Sequence, residues 1–193
     1  MKSGNDMEIL KIIQERYSPR AFSDQTVDMP TLEYLFDAAR RAPSSRNEQP
    51  WKFIYAIKEG SLNFQKFLGF LTASNQKWAC TAPVLVAGIT RLNYQSNQQP
   101  NEYAWYDLGQ SIAYLTLQAS GFGLYVHQMG GFDREKAKLE LHLPQDSQVV
   151  VMVAIGYKGD IHRIPSEFHE GELNRKTRFP LGQILSKNQW SWE

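Results

Sequence analysis

The chain has 193 residues, 42% of them hydrophobic and 21% charged, enough apolar material for one domain with a core of its own. Twenty-one lysines and arginines stand against 20 aspartates and glutamates, so a net charge of +1 excludes an overall basic field for nucleic acid or an anionic membrane surface; any anion site has to be local. A single cysteine, Cys80, excludes an internal disulfide, no apolar run is long enough to cross a bilayer, and no signal-peptide pattern is visible, so a soluble, cytoplasmic protein is expected.

In chain order, a first helix is predicted from an N-cap at Asp6, carried by Ile9, Ile12 and Ile13 at helical spacing and ended by Ser18-Pro19. A second is predicted from Thr31, after Pro30, with Leu32, Leu35, Phe36 and Ala39 on one face and an end before Pro43. The loop from Ala42 to Pro50 follows, then a strand from Trp51 to Ile57, a helix from Leu62 to Leu71, and a nearly continuous apolar strand from Val84 to Ile89. The polar run from Asn93 to Asn101 reads as an exposed, mobile loop and a candidate lid. Trp105, Leu108, Ile112, Leu115 and Ala119 mark a long amphipathic helix closed by Gly121 and Gly123; Ala104, Ala113 and Leu117 widen its apolar face, which suits the centre of the domain or a subunit contact. A short strand from Leu124 to His127, a helix from Asp133 to Leu141 and a strand from Val149 to Ile155 complete the periodic part, and from about residue 157 an extended arm is expected.

Three segments carry residues suited to chemistry. Arg16-Tyr17-Ser18-Pro19-Arg20 puts two guanidinium groups and a serine hydroxyl at a helix terminus, a donor set for phosphate oxygens; a solvated helix end is the plainer alternative. Ser44, Ser45, Asn47 and Gln49 lie in a stretch bracketed by Pro43 and Pro50, where amides can match the acceptors and N–H of a pyrimidine-like ring edge, or simply cap nearby backbone. Met129-Gly130-Gly131 after a strand lets backbone N–H groups come close to a planar ligand, unless it is an ordinary turn. The basic cluster Arg175-Lys176-Thr177-Arg178 is followed by the apolar Phe179-Pro180-Leu181, which can anchor it against the body. His127, His142, His162 and His169 have no metal-ligand spacing, so no metal is expected, and neither a Gly-x-Ser-x-Gly elbow nor a phosphate loop occurs.

Taken together, Arg16-Tyr17-Ser18-Pro19-Arg20-Ala21-Phe22, the loop Ala42-Pro43-Ser44-Ser45-Arg46-Asn47-Glu48-Gln49-Pro50-Trp51, Met129-Gly130-Gly131-Phe132-Asp133, Ile155-Gly156-Tyr157 and Lys176-Thr177-Arg178 resemble the nitroreductase family of FMN-dependent oxidoreductases from about Ile9 to Leu185. The resemblance implies an α+β fold with a mainly antiparallel central sheet surrounded by helices, in an arm-exchanged homodimer with FMN at the interface. It implies that Arg16, Ser18 and Arg178 hold the FMN phosphate with Tyr17 and Lys176 close by, and that Arg20 faces the ring's N1 and O2 edge. Ser44, Ser45, Asn47 and Gln49 are implied to contact the cofactor, some across the interface, and Gln128, Met129 and Gly130 to line the N5 side. NADH or NADPH is the implied donor and a nitroaromatic or quinone the implied acceptor, with no catalytic side chain, because the flavin carries the chemistry. The same fold also serves dehalogenases and dehydrogenases, and a flavin-binding sensor or scaffold without turnover is the alternative from another class.

Overall fold

The computed structural model describes residues 8–59, 61–174 and 177–190; the expected cap at Asp6 and the site candidate Lys176 lie outside them. Its centre is a four-stranded sheet of β1 (Trp51–Ile57), β2 (Val84–Arg91), β3 (Tyr125–Met129) and β4 (Ser147–Gly156), in the order β1-β2-β4-β3. Every neighbouring pair is antiparallel. Around it lie α1 (Lys11–Gln14), α2 (Met29–Ala39), α3 (Leu62–Leu68), α4 (Ala73–Ala79), α5 (Ala104–Gly121), α6 (Arg134–Glu140) and α7 (His169–Leu173).

Side chains alternate across the pleat and both faces are covered. Val84, Val86, Val153 and Ile155 pack with Leu32, Leu35, Leu115 and Ala119 of α2 and α5. Leu85, Ala87, Ile89, Met152 and Ala154 meet Phe22, Phe64, Phe67 and Trp78 on the other side. Burial on both faces explains why β2 is apolar at consecutive positions, a pattern more usual in parallel sheets. At Gly88, where the β2–β4 register shifts, an added Cβ would lie 2.9 Å from Val151 Cγ1 and 3.1 Å from Ile112 Cδ1. Glycine there lets α5 close onto the sheet. Two buried hydroxyls fasten the same helix: Ser111 Oγ donates to the Ala39 carbonyl at 2.9 Å, and Thr90 Oγ1 to the Ala104 carbonyl at 3.0 Å.

Several elements differ from expectation for identifiable reasons. The first helix is a single turn with no buried residue: it lies against α5, yet Ile9, Ile12 and Ile13 stay 64%, 38% and 47% exposed. Helix α2 begins at Met29 rather than Thr31, since Asp28 accepts from the Thr31 N–H at 2.7 Å and Pro30 fits the first turn. The helix expected over 62–71 stops at Leu68, and α4 was not anticipated: it buries only Trp78 and Ala79, too few for a periodic stripe. Trp105 sits off the buried stripe of α5, 46% exposed. The run from Asn93 to Asn101 is exposed at its tip, yet Tyr94 and Asn101 are buried and an Asn93–Pro100 bridge closes it. Beyond Gly156, the chain packs back through a Phe22–Lys158 bridge, buried Ile164 and α7, and the described residues 177–190 are exposed. Among the described residues, no helix is long and apolar enough to cross a membrane.

Candidate functional site

Pro19 cannot continue a helix, and after α1 the chain runs irregularly through Arg16–Arg20 beside β3, where the Pro19 carbonyl meets His127. Arg16, Tyr17 and Ser18 line a cavity of 730 Å³ that Thr177 and Arg178 also line. Residues from the two ends of the sequence therefore supply two guanidinium groups and a hydroxyl to one space. Arg16 Nη1 donates to Ser18 Oγ at 3.0 Å, which orients the pair before any ligand arrives. Ile9 and Ile13, exposed on α1, form part of the same lining.

Arg20 is held from below. Its backbone N–H donates to Glu172 Oε1 at 2.9 Å and its Nη1 lies 3.6 Å from the same oxygen, while the Tyr17 hydroxyl donates to Glu172 Oε2 at 2.6 Å. The Arg20 guanidinium also stacks 5.7 Å from the centre of the Phe168 ring. Behind this segment, the His127 ring packs on Trp78 at 4.4 Å between centroids, with Nδ1 2.9 Å from the Pro19 carbonyl. Burial holds the imidazole below its ordinary value and the Arg20 charge adds to that, against the opposing pull of the Pro19 carbonyl and the Glu172 carboxylate. A neutral imidazole that donates from Nδ1 satisfies the carbonyl.

The second predicted segment, 44–49, contains a short 3-10 turn at Ser45–Asn47. Arg46, Asn47 and Gln49 have φ of 53°, 57° and 48°, left-handed backbone that is uncommon outside glycine and persists where surroundings impose it. Those surroundings are visible. The Ser45 N–H donates to Asp107 Oδ2 at 3.0 Å, and Asp107 itself is 2% exposed in the first turn of α5. The Arg46 guanidinium stacks 5.0 Å from the centre of the Tyr94 ring, Glu48 accepts from the Gln95 N–H at 2.9 Å, and Ser44 Oγ accepts from the Gln49 N–H at 3.0 Å. Asn47 and Gln49 are exposed, and none of Ser44, Ser45, Asn47 and Gln49 lines the cavity that Arg16 lines.

At the end of β3, Gln128 is exposed and the Met129 side chain is 3% exposed within the core, so Met129 can offer a ligand only its backbone. Among the described residues beyond its two neighbours, an added Cβ at Gly130 would meet no atom within 4 Å. Gly131 is different: there a Cβ would lie 2.8 Å from Asn75 Nδ2. Packing within the chain explains the second glycine.

The structure thus brings Arg16, Tyr17, Ser18 and Arg178 together, sets Arg20 beside them, and keeps the 44–49 loop and the Gln128–Gly130 corner apart from that cavity. Sequence reasoning missed Glu172, Asp107, Tyr94 and His127. Only Asp107 left a signal, a carboxylate on the helix face that otherwise carries Ala104, Leu108 and Ser111.

Comparison with known proteins identifies the family. Residues 13–157 match the Nitroreductase family. An Archaeoglobus fulgidus protein provisionally named NADH dehydrogenase/NAD(P)H nitroreductase is 27% identical over 176 residues, which covers 88% of this chain and 98% of that protein. A Thermus thermophilus NADH dehydrogenase is 24% identical over 188 residues, 79% of this chain and 90% of its own. A solved structure described as an oxidoreductase containing FMN is 31% identical, with a TM-score of 0.91 over 98% of this chain and 96% of that one.

Proposed function

The chain belongs to the nitroreductase family of oxidoreductases, and from that premise we propose that it binds FMN and passes hydride from NADH or NADPH to a small oxidised acceptor such as a nitroaromatic or a quinone. The observation that carries the proposal is the convergence of Arg16, Ser18 and Arg178 on one cavity. A planar cationic fork, a second cation and a hydroxyl are the donor set a phosphate monoester requires, and 730 Å³ falls in the range of cofactor pockets. The residues fit the group.

In this reading Arg16, Ser18 and Arg178 hold the phosphate, with Tyr17 beside them and Lys176 adjoining. Arg20 faces the N1 and O2 edge, where its charge favours the anionic reduced ring. Ser44, Ser45, Asn47 and Gln49 supply amide and hydroxyl contacts from a second copy of the chain, and Gln128 with the backbone of Met129 and Gly130 lines the N5 side. FMN, when bound, supplies the two-electron chemistry. The side chains orient donor and acceptor in turn and exclude water, and none needs to form a covalent bond.

A homodimer is part of the proposal. Tyr103, Trp105 and Tyr106 at the start of α5 are 54%, 46% and 67% exposed, and Phe179, Leu181, Ile184 and Leu185 lie on an exposed terminal segment that buries none of them. Apolar groups gathered this way need a partner surface.

The test is anaerobic stopped-flow absorbance of the FMN-loaded protein mixed with NADH or NADPH, then with a nitroaromatic or quinone. Rapid bleaching followed by acceptor-driven reoxidation supports the reading. Retention of FMN with no bleaching by either nicotinamide would replace it with a flavin-binding sensor or scaffold.

A further inference from the structure

We infer that Glu172 is the positioning residue of the phosphate cavity, joining its two walls so that Arg16, Ser18 and Arg178 face one another; this rests on the reading of that cavity as the FMN phosphate site. Its carboxylate lies under the Arg16–Arg20 segment with 6% of the side chain exposed, and both oxygens accept: Oε2 from the Tyr17 hydroxyl at 2.6 Å, Oε1 from the Arg20 N–H at 2.9 Å. A carboxylate that is mostly out of water stays there only if such donors compensate it.

Helix α7 has no buried residue of its own; Phe168, just before it, packs partly buried against the core, and Glu172 ties the helix to the site. Gly171, the neighbour of Glu172, lines the cavity, and an added Cβ there would come within 3.3 Å of Arg20 Nη1. The chain then continues to Thr177 and Arg178, which line the same cavity. One carboxylate therefore grips Tyr17 and Arg20 on the N-terminal wall from α7, whose Gly171 lines the cavity together with Thr177 and Arg178. The two hydrogen bonds are shorter than the 3.6 Å contact with the Arg20 guanidinium, whose side chain is 33% exposed, so geometry rather than net charge carries the effect.

Glu172→Ala should release α7 and spread the cation pair, whereas Glu172→Gln can still accept from the Arg20 N–H while donating to the Tyr17 oxygen. Fluorescence titration of FMN and of riboflavin into flavin-free full-length protein separates the effects, because riboflavin lacks the phosphate. Glu172→Ala is expected to weaken FMN about ten-fold or more and riboflavin by less than about three-fold, with Glu172→Gln restoring FMN affinity to within about three-fold of the original chain. Equal losses for both flavins, an unchanged FMN affinity in Glu172→Ala, or a Glu172→Gln variant as weak as Glu172→Ala would overturn the inference. An original chain that binds FMN no better than riboflavin would instead overturn the phosphate-site reading beneath it. Should Glu172→Ala fail to fold, Tyr17→Phe, which deletes one of the two bonds, is expected to give a smaller loss of the same FMN-selective kind, and a loss shared by riboflavin would overturn the inference.

Discussion

The Arg16–Arg20 segment and the 44–49 loop supply most of the proposed cofactor contacts, and they are built in opposite ways. The first closes on residues of its own chain: Glu172 below, His127 behind, and Arg178 across the cavity. The second is braced from behind, by Asp107, Tyr94 and Gln95, with Asn47 and Gln49 exposed. A closed arrangement can recognise a ligand alone. A loop held in left-handed backbone, with Asn47 and Gln49 exposed, suits a contact that its own chain does not provide. In the proposed dimer that contact is with the flavin seated in the partner.

This contrast can be broken from either side. The largest effect is expected from Arg16→Ala or Arg178→Ala, which remove charge-assisted bonds to the phosphate worth roughly 1.5–3 kcal/mol and should weaken FMN about ten- to a hundred-fold while sparing riboflavin. Equal weakening of both flavins would show that the cavity does not hold the phosphate. On the other side, Asp107→Ala leaves the Ser45 N–H without its acceptor, and urea denaturation should register a loss of about 1–3 kcal/mol. Limited proteolysis should then cut within 44–49; an uncut loop would mean that Tyr94 and the prolines brace it without Asp107.

The smallest effect concerns pH. His127 has its folded pKa below the ordinary imidazole value of about 6.5, so as pH falls through that value the unfolded chain takes up a proton that the folded chain resists. Stability should decline below about pH 6.5, and His127→Asn, which keeps a donor near the Pro19 carbonyl, should flatten that decline. Identical pH profiles for the two proteins would remove His127 from the support of the Arg16–Arg20 segment.

What the sequence disclosed follows the same division. Strand β1 runs over Trp51–Ile57 as read, and α5, which buries a regular stripe, is only one residue longer at its start than the stripe from Trp105. The Arg16 and Arg178 donors were legible as residue types and motifs. Their supports were not. Glu172 meets Arg20 across 152 positions, and nothing local in His169-Glu170-Gly171-Glu172-Leu173 distinguishes it from a solvated acidic turn. Ile9, Ile12 and Ile13 misled in the other direction, giving a clear helical period to a segment that forms one exposed turn. Periodicity reports what a segment can bury, and the single turn of α1 beside α5 leaves those residues part-exposed.

The central claim, that the two regions meet in one flavin site made by two chains, is tested most directly by mixing two defective variants. Arg16→Ala spoils the cavity and the pair Asn47→Ala with Gln49→Ala spoils the loop; each alone should lose bound FMN. In a refolded mixture, dimers containing one chain of each kind have one site with both defects and one site with neither, so about a quarter of the original flavin capacity should return. No recovery of flavin absorbance, in a mixture shown by tagged pull-down to contain mixed dimers, would contradict a site shared between chains.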